Sequence, residues 1–547
     1  MKYLLYFFFI SAVVTGVQAQ NKKGQNERPK LIVGIVVDQM RYDYLTRFYD
    51  KYGEGGFKRM INEGFNCKNN HFNYIPTYTG PGHASIYTGT TPKYHGIIGN
   101  DWYDKDLKSS VNCVQDDEVA PVGTESNDGK KSPKRMLVTT FADENRLFTQ
   151  MKGKTIGISI KHRSAILPAG HTANAAYWFD YEHNGEGHWI SSSYYMNELP
   201  KWVDKFNKSN KAESYFKVWN TLYDIDSYTE SGNDLNSFER VFKGKKTPTF
   251  PYNLKKLRNE NGNFKIITDS PFGNNLTTDF TIKAIEAEEL GRDHITDILT
   301  VSYSSTDKVG HDFGVNSKEI EDVYIRLDQD LERLLNALDA RVGKGKYTVF
   351  LTADHGAVHI PNYLKSLKIP SDYVISKRIR EKLNAFILET FQVTGLVENM
   401  SNNQIFLNHK KIKESGLVLS VVQESIVNEI IGYQDIYKAY TAGSMSSNSF
   451  PHGIENLLQN GYNQKRSGDV LMVSHPSHIY YRKTGTTHGA GFNYDTHVPL
   501  LFFGKGIKQG ETLQKTVIPD IAPTMSALLG ISFPNASTGS PLEFVLQ

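Results

Sequence analysis

Residues 31–38 read LIVGIVVD, seven consecutive non-polar residues followed by an aspartate. A run without a polar face is typical of a strand that is buried on both sides, as in a parallel sheet covered by helices. The pattern recurs in four further runs, at 155–160, 298–303, 347–352 and 498–503. These five runs predict a buried central sheet.

Helical patterns lie between the predicted strands. The clearest places apolar side chains three or four residues apart over 320–338, with a predicted capping box at Asn316–Glu319 and an end at Gly343. Residues 278–290 and 371–390 also predict helices. Strands alternating with helices predict an α/β fold in which helices flank a central, mainly parallel sheet.

Composition excludes several classes of protein. The chain has 547 residues, which is too long for one small module. Lysine and arginine exceed aspartate and glutamate by only 62 − 59 = 3, so the overall charge gives no reason to expect a nucleic acid as a partner. Two cysteines, Cys67 and Cys113, are too few for a disulfide-built fold or a metal site made of cysteine alone. Whether they pair stays open.

The N-terminal segment has the pattern of a targeting signal. Residues 1–19 begin with Lys2, continue through an apolar run at 4–14 and end in Val-Gln-Ala. The run is too short for a transmembrane helix of about 20 residues and is typical of a secretory signal peptide. We expect cleavage after Ala19, a mature chain 20–547 without a membrane span, and an exported protein, either periplasmic or secreted.

Two segments interrupt the alternation of strands and helices, at about 101–150 and 164–275. The second segment holds four of the five tryptophans: Trp178, Trp189, Trp202 and Trp219. So many aromatic side chains need burial or a ligand. We expect both segments to be caps inserted into one catalytic domain that spans 20–547.

Acidic and histidine side chains lie next to several of the predicted strands. In an open α/β sheet, functional groups gather where the carboxyl ends of the strands meet. Taken singly, each of these residues could be a cap or a turn residue, but three carboxylates and three imidazoles together suit two zinc ions. The six candidate ligands are Asp38, Asp307, His311, Asp354, His355 and His488.

Residues 76–85, PTYTGPGHAS, predict a loop that enters a helix, with Pro81 in its first turn. A hydroxyl at such a helix start lies beside free backbone amides and the positive end of the helix dipole, where phosphate binds well. Thr77 or Thr79 is therefore either a nucleophile or merely an N-cap.

Two cationic side chains follow the run 155–160. If the extended conformation continues, Lys161 and Arg163 project to one side and His162 to the other. Side by side they can hold an oxyanion, arginine through its planar fork and lysine as a point charge. A solvated basic turn is the alternative.

These segments, in this order, resemble the alkaline phosphatase superfamily, and most closely the PafA-type phosphatases exported by bacteria. The resemblance runs from Val33 to about Pro541. The motifs that carry it are Val37–Arg41, Thr79–His83, Thr91–Pro92, His95–Asn100, Lys161–Ala165, Thr306–Asp307, Gly310–His311, Ala353–Gly356 and Thr487–Gly489.

The resemblance implies an alkaline phosphatase-like fold and a two-zinc enzyme that hydrolyses phosphate monoesters through a phosphothreonine. It implies that Thr79 is the nucleophile and binds a first zinc together with Asp38, Asp354 and His355. It implies that a second zinc, facing the leaving group, is held by Asp307, His311 and His488. The residues implied to contact the phosphoryl oxygens are Asn100, Lys161 and Arg163.

Other functions remain open. A phosphodiesterase or nucleotide pyrophosphatase would share the two-zinc frame, although a diester offers fewer charged oxygens to the Lys161/Arg163 pair. A sulfatase needs Cys or Ser in a C/S-x-P-x-R pattern, whereas this chain has Thr79 and, four residues later, His83. An exported zinc- or phosphate-binding protein without turnover is the alternative from another class. The sequence predicts neither the natural substrate nor the oligomeric state.

Overall fold

A computed structural model describes residues 27–181 and 185–547, and the predicted signal peptide 1–19 lies outside the described residues. The principal strands, numbered in chain order, are β1 (Leu31–Val37), β2 (Phe65–Cys67), β3 (Asp101–Asp104), β4 (Ser109–Asn112), β5 (Pro121–Val122), β6 (Thr155–Ser159), β7 (Ala175–Asp180), β8 (His188–Ser192), β9 (Asp297–Tyr303), β10 (Tyr347–Thr352), β11 (Val397–Ser401), β12 (Gln404–Leu407), β13 (Ile436–Thr441), β14 (Val470–Ser474), β15 (Leu500–Gly504) and β16 (Gly510–Thr512).

The longer helices of the described residues follow the same numbering. They are α1 (Thr79–Thr88), α2 (Phe141–Phe148), α3 (His162–Ala169), α4 (Phe272–Ala287), α5 (Ser305–Phe313), α6 (Lys318–Leu338), α7 (Ser376–Phe391), α8 (Leu419–Ile430), α9 (Gly453–Gly461) and α10 (Ile521–Leu529).

A ten-stranded central sheet organises the part of the chain that the structure describes. Its strand order is β16-β2-β15-β10-β1-β9-β6-β7-β8-β5. The five middle strands, from β10 to β7, are parallel, whereas β15 and β8 join them antiparallel. Every residue of β1 is buried, which explains its run of apolar side chains. The predicted α/β fold with a mainly parallel central sheet is confirmed.

The predicted helix over 320–338 corresponds to α6, with a different cap. The N-cap is Ser317, whose Oγ accepts a hydrogen bond from the backbone N of Ile320 at 3.1 Å. The capping box predicted at Asn316–Glu319 is wrong, because the Asn316 amide is bound by Arg47 and the Glu319 carboxylate by Tyr252. A π-helical turn ends the segment at Gly343.

The cap predicted at 164–275 is wrong in its first part. Strands β7 and β8 extend the central sheet, and α3 packs against it, so residues up to 192 belong to the core of the domain. The tryptophans here are core side chains: Trp189, for example, stacks on Phe280 of α4 with ring centroids 4.2 Å apart. In the segment 101–150, β5 joins the central sheet and α2 packs on α10, whereas β3 and β4 form a separate two-stranded sheet.

A further lobe, residues 372–480, is inserted between β10 and β15, and we call it the 372–480 lobe. Its four-stranded antiparallel sheet, in the order β11-β12-β14-β13, packs with α7 and α8 around a separate apolar core that includes Leu383 and Ile426. The sequence predicts a helix here but not a lobe, because helices and strands alternate in it as they do around the central sheet.

Both cysteines are free thiols in this fold. Cys67 and Cys113 are both buried and unpaired with each other, and burial raises the pKa of each thiol to about 12. Within residues 27–181 and 185–547, no helix has the length and apolarity that a membrane crossing requires.

Candidate active site

Three adjacent parallel strands bring three carboxylates to one edge of the sheet. Asp38 directly follows β1, Asp354 lies two residues after β10, and Asp307 lies in the first turn of α5, just after β9. All three side chains are buried. The strand order therefore places together residues that are separated by more than 300 positions in the chain.

The first group of candidate ligands surrounds His355 Nε2. Asp38 Oδ1, Asp354 Oδ2 and Thr79 Oγ1 each lie 3.5 Å from this nitrogen. Asp307 also offers an oxygen within 4.8 Å of the ligand atoms of Asp38 and His355. Several oxygen atoms and one imidazole nitrogen that could bind a metal therefore lie close together.

The second group surrounds Asp307 Oδ1. His311 Nε2 lies 3.1 Å from this oxygen and His488 Nε2 lies 3.7 Å from it. His311 is one helical turn after Asp307 on α5, which puts the two on one face. The two groups adjoin, because the rings of His355 and His488 stack with centroids 3.3 Å apart.

All three imidazoles are oriented in the same way. Each Nδ1 lies within hydrogen-bond distance of a backbone carbonyl: His311 at 2.7 Å from Thr486 O, His355 at 2.9 Å from Gly356 O, and His488 at 2.7 Å from Thr77 O. Because a carbonyl only accepts, Nδ1 carries a proton in each ring, and Nε2 is the nitrogen that faces the carboxylates and would bind a metal. Burial lowers the pKa of His355 to about 3, which keeps that ring neutral.

Two carboxylate oxygens of the first group have no hydrogen-bond partner in the part of the chain that the structure describes. Asp38 Oδ1 and Asp354 Oδ2 are buried without a hydrogen-bond partner among the described residues. Burial, and then the neighbouring Asp38 carboxylate, raise the pKa of Asp354 well above its usual range. A bound divalent cation would remove both costs, and mixed carboxylate and imidazole donors suit zinc. The residues present therefore fit a pair of zinc ions.

Thr79 is the first residue of α1, and its N-cap is Tyr78, so Thr79 does not cap the helix. Its buried hydroxyl faces the first ligand group. This approach needs Gly82, because a Cβ there would lie 2.4 Å from the backbone oxygen of Asp354. The hydroxyl of Thr77 instead donates to Ala490 O at 2.9 Å. Of the two threonines, Thr79 is the one whose hydroxyl lies next to the candidate ligands.

Asn100 lies beside the start of α1. Its Oδ1 accepts a hydrogen bond from the backbone N of Gly80 at 2.6 Å. Since that neighbour is a donor, the atom facing it is the oxygen, and the Asn100 Nδ2 group is left as a donor. This hydrogen bond holds the Asn100 amide against Gly80, the residue that follows Thr79.

The extended conformation predicted through Arg163 is wrong, because α3 begins at His162 and Lys161 is its N-cap residue. Lys161 Nζ lies 2.7 Å from Asp38 Oδ2 and 2.5 Å from Asp307 Oδ2, between the two ligand groups. Lys161 and Arg163 line one small cavity with Trp178. The helix turn, and not strand alternation, brings the two cations together.

The sequence is similar to those of known phosphatases over nearly its whole length. A family model described as type I phosphodiesterase / nucleotide pyrophosphatase matches residues 32–498. Alkaline phosphatase PafA of Elizabethkingia meningoseptica is 45% identical over 98% of this chain and 97% of its own. Alkaline phosphatase PhoV of Synechococcus elongatus is 46% identical over 95% and 93%. A protein of Myroides odoratus named calcium-transporting ATPase is 45% identical over 95% of each chain.

The chain belongs to the alkaline phosphatase superfamily.

Solved structures agree with this family. The crystal structure of wild-type PafA superposes with a TM-score of 0.91 at 45% identity, covering 95% of this chain and 99% of PafA. A PafA mutant in which a Thr, an Asn, a Lys and an Arg are replaced superposes equally well. Murine ectonucleotide pyrophosphatase / phosphodiesterase 5 superposes with a TM-score of 0.53 at 15% identity, which is a likeness of fold alone.

In this member of the superfamily, sequence reasoning missed two residues that organise the ligands. Gln39 donates from Nε2 to Asp307 Oδ1 at 2.8 Å and from its backbone N to Asp354 Oδ1 at 3.1 Å, and so joins both groups. The signal available for Gln39 was its place directly after Asp38 in the VDQMR motif.

Asp312 is the second missed residue, and it follows His311 on α5. Its carboxylate accepts from Arg240 at 2.9 Å and from Arg482 at 2.7 Å. Arg482 precedes His488 in the same loop, so Asp312 ties α5 to the loop that carries a ligand of the second group. No sequence pattern indicated this residue, because its partners are 72 and 170 positions away.

Proposed function

We propose that this chain is an exported two-zinc phosphatase that hydrolyses phosphate monoesters, with Thr79 as the nucleophile. The proposal rests on one observation: the Thr79 hydroxyl lies next to a buried set of three carboxylates and three imidazole nitrogens. Relatives named alkaline phosphatase, 45% and 46% identical over nearly the whole chain, support monoesterase activity.

In this proposal each zinc has its own ligands. Asp38, Asp354, His355 and Thr79 would hold one, and Asp307, His311 and His488 would hold the other. When bound, zinc lowers the pKa of a coordinated hydroxyl and compensates negative charge on the nucleophile and leaving-group oxygens.

The chain's own residues then carry out two displacements. The Thr79 oxygen attacks phosphorus and the bond from phosphorus to the ester oxygen breaks, which releases the alcohol and leaves phosphothreonine. Water attacks the same phosphorus, releases inorganic phosphate and restores the Thr79 hydroxyl. Asn100, Lys161 and Arg163 hold the non-bridging oxygens in both steps.

Lys161 changes partners in this scheme. Its ammonium now compensates Asp38 and Asp307. Once cations compensate those carboxylates, the ammonium is available to a phosphoryl oxygen. Together with Arg163 it offers two positive charges, which match the two negative charges of a phosphate monoester.

A second candidate is hydrolysis of phosphodiesters or nucleotide pyrophosphates. The description of the matching family model favours it. The Lys161/Arg163 pair argues against it, because a diester carries one charge where a monoester carries two. A sulfatase stays disfavoured, since Thr79 stands at the nucleophile position.

Export rests on the signal pattern at 1–19, which places the catalytic chain 20–547 in the periplasm or outside the cell. The cap at 101–150 is proposed as its β3–β4 hairpin, and the larger cap as the part of 164–275 that follows β8. Small phosphate esters are the proposed substrates, and no nucleic-acid partner is expected.

One preparation tests the proposal. Zinc is counted by elemental analysis in the exported protein, and turnover is measured on p-nitrophenyl phosphate, bis-p-nitrophenyl phosphate and p-nitrophenyl sulfate. We expect two zincs per chain, close to one in His488→Ala, and two in the exposed control His409→Ala. The monoester should be the best substrate.

Three results would contradict the proposal. Full activity in protein free of transition metal would exclude the zinc assignment. Faster turnover of the diester would favour the second candidate. Two bound zincs without turnover of any ester would favour a binding protein.

A further inference from the structure

The 372–480 lobe contacts the loop that carries Asn100 at both of its ends. At one end, Arg466 Nη1 donates to Gly96 O at 2.6 Å. At the other, Asn402 Nδ2 donates to Asp101 O at 2.6 Å. Asn100 is thus bracketed by two hydrogen bonds from a lobe that supplies no candidate metal ligand.

Two glycines of this loop leave room for the two donor side chains. A Cβ at Gly96 would lie 2.6 Å from Arg466 Nη1, and a Cβ at Gly99 would lie 2.7 Å from Asn402 Nδ2. Gly96 also has a φ of 77°, which glycine adopts most easily. The donors therefore lie directly against the backbone on both sides of Asn100.

Asn402 is held at the tip of a short hairpin. Asn402 and Asn403 join β11 to β12 with φ values of 51° and 57°, the positive pair of a two-residue type I′ turn. Below the tip, Glu398 of β11 accepts from Lys108 at 2.9 Å, and Tyr103 packs edge-to-face on Phe406 of β12. The hairpin is fixed on β3–β4, the strand pair that begins just after Asn100.

Arg466 donates hydrogen bonds to two backbone carbonyls. The same Nη1 that meets Gly96 O also donates to Arg135 O at 2.8 Å, and the guanidinium lies 5.3 Å from the Trp102 ring centroid. Hydrogen bonds from a cation are among the stronger ones in proteins. Arg466 therefore fixes the start of the loop as Asn402 fixes its end.

We infer that the 372–480 lobe positions Asn100, with Asn402 and Arg466 as positioning residues for phosphoryl binding. Neither residue contacts Thr79 or a candidate ligand; they act through the backbone of residues 96–101. The inference rests on the proposed function in one respect, that the Asn100 amide binds a phosphoryl oxygen.

The test is a double-mutant cycle measured as kcat/KM for a phosphate monoester. Asn402→Gly removes the donor and keeps a residue that tolerates the left-handed turn. One uncharged hydrogen bond corresponds to a loss of about 2- to 10-fold. We expect that loss in the wild-type and Arg163→Ala backgrounds and no further loss in Asn100→Ala, because the effect passes through Asn100.

The matched control is Asn403→Gly, the other residue of the same turn, whose side chain forms no hydrogen bond within the described residues. It should leave kcat/KM unchanged. If Asn402→Gly does not fold, Asn402→Asp keeps the turn and still removes the donor. Zinc content and thermal unfolding are measured for each variant.

The outcomes distinguish a failure of this inference from a failure of the proposed function. An equal loss from Asn402→Gly in the Asn100→Ala background, or no loss in the wild type, would overturn the inference and leave the proposed function intact. If Asn100→Ala itself left monoester turnover unchanged, the proposed role of Asn100 would fail first and the inference with it.

Discussion

Lys161 Nζ donates to Asp38 Oδ2 at 2.7 Å, and both side chains are at least 95% buried. The same ammonium lies 2.5 Å from Asp307 Oδ2, so one cation bridges carboxylates of both ligand groups. We therefore expect Lys161 to stabilise the metal-free protein, and the proposed function adds a contribution to substrate binding.

The first contribution predicts a metal-dependent loss of stability. In chelator-treated protein, Lys161→Met should lower the free energy of unfolding by about 3–5 kcal/mol, because buried carboxylates lose their partner. In zinc-saturated protein the loss should shrink, since bound cations compensate Asp38 and Asp307. Urea unfolding under both conditions measures the difference, with the exposed Lys410→Met as control. Equal losses under both conditions would show that Lys161 contributes only through packing.

Arg163 should discriminate between classes of ester. A charged hydrogen bond is worth about 1.5–3 kcal/mol, so Arg163→Ala should lower kcat/KM for monoesters by about 10- to 150-fold. Diester hydrolysis should change much less, because a diester lacks the second negative charge. Rates for p-nitrophenyl phosphate and bis-p-nitrophenyl phosphate on the same preparation give the comparison. An equal loss on both substrates would remove the reason for preferring monoesters.

A buried glutamate outside the ligand groups predicts a pH dependence of stability. Glu319 accepts from Tyr252 OH through Oε1 at 2.5 Å, while Oε2 has no partner among the described residues. Burial raises the pKa of Glu319 well above 4.5. The folded state therefore holds the proton more tightly than the unfolded state. The stabilisation is complete below pH 4.5 and is lost as pH rises toward the folded pKa.

Glu319→Gln removes this titration. Its free energy of unfolding relative to the wild type should increase by about 1.4 kcal/mol for each pH unit across that window. The exposed Glu414→Gln should show no such trend. Urea unfolding between pH 4 and about 9 checks this, and a difference that stayed constant with pH would exclude a raised pKa at Glu319.

Much of the frame could be predicted because it depends on local pattern. Apolar runs marked the parallel strands β1, β6, β9 and β10, and the residues one or two positions after them include Asp38 and Asp354. Adjacent strand ends then bring the carboxylates together without any further information. The order of the motifs along the chain was enough to predict the family.

What could not be predicted depends on contacts between distant residues. The extended conformation predicted for residues 161–163 was wrong because strand alternation was applied where the chain turns into α3. The N-cap of α6 is Ser317 because Arg47, some 270 positions earlier, occupies the Asn316 amide. Asn402 had no signal at all, since its hydrogen bond to Asp101 joins residues 301 positions apart.

The proposed mechanism requires a covalent bond between Thr79 and phosphorus. The most direct measurement stops turnover of a phosphate monoester at low pH and locates the trapped phosphate by peptide mass spectrometry. We predict phosphothreonine at Thr79, and a Thr79→Ala variant that keeps its zinc and fold but loses nearly all activity and all trapped phosphate. Phosphate mapped to Thr77 or Ser85, or undiminished turnover by Thr79→Ala, would exclude Thr79 as the nucleophile.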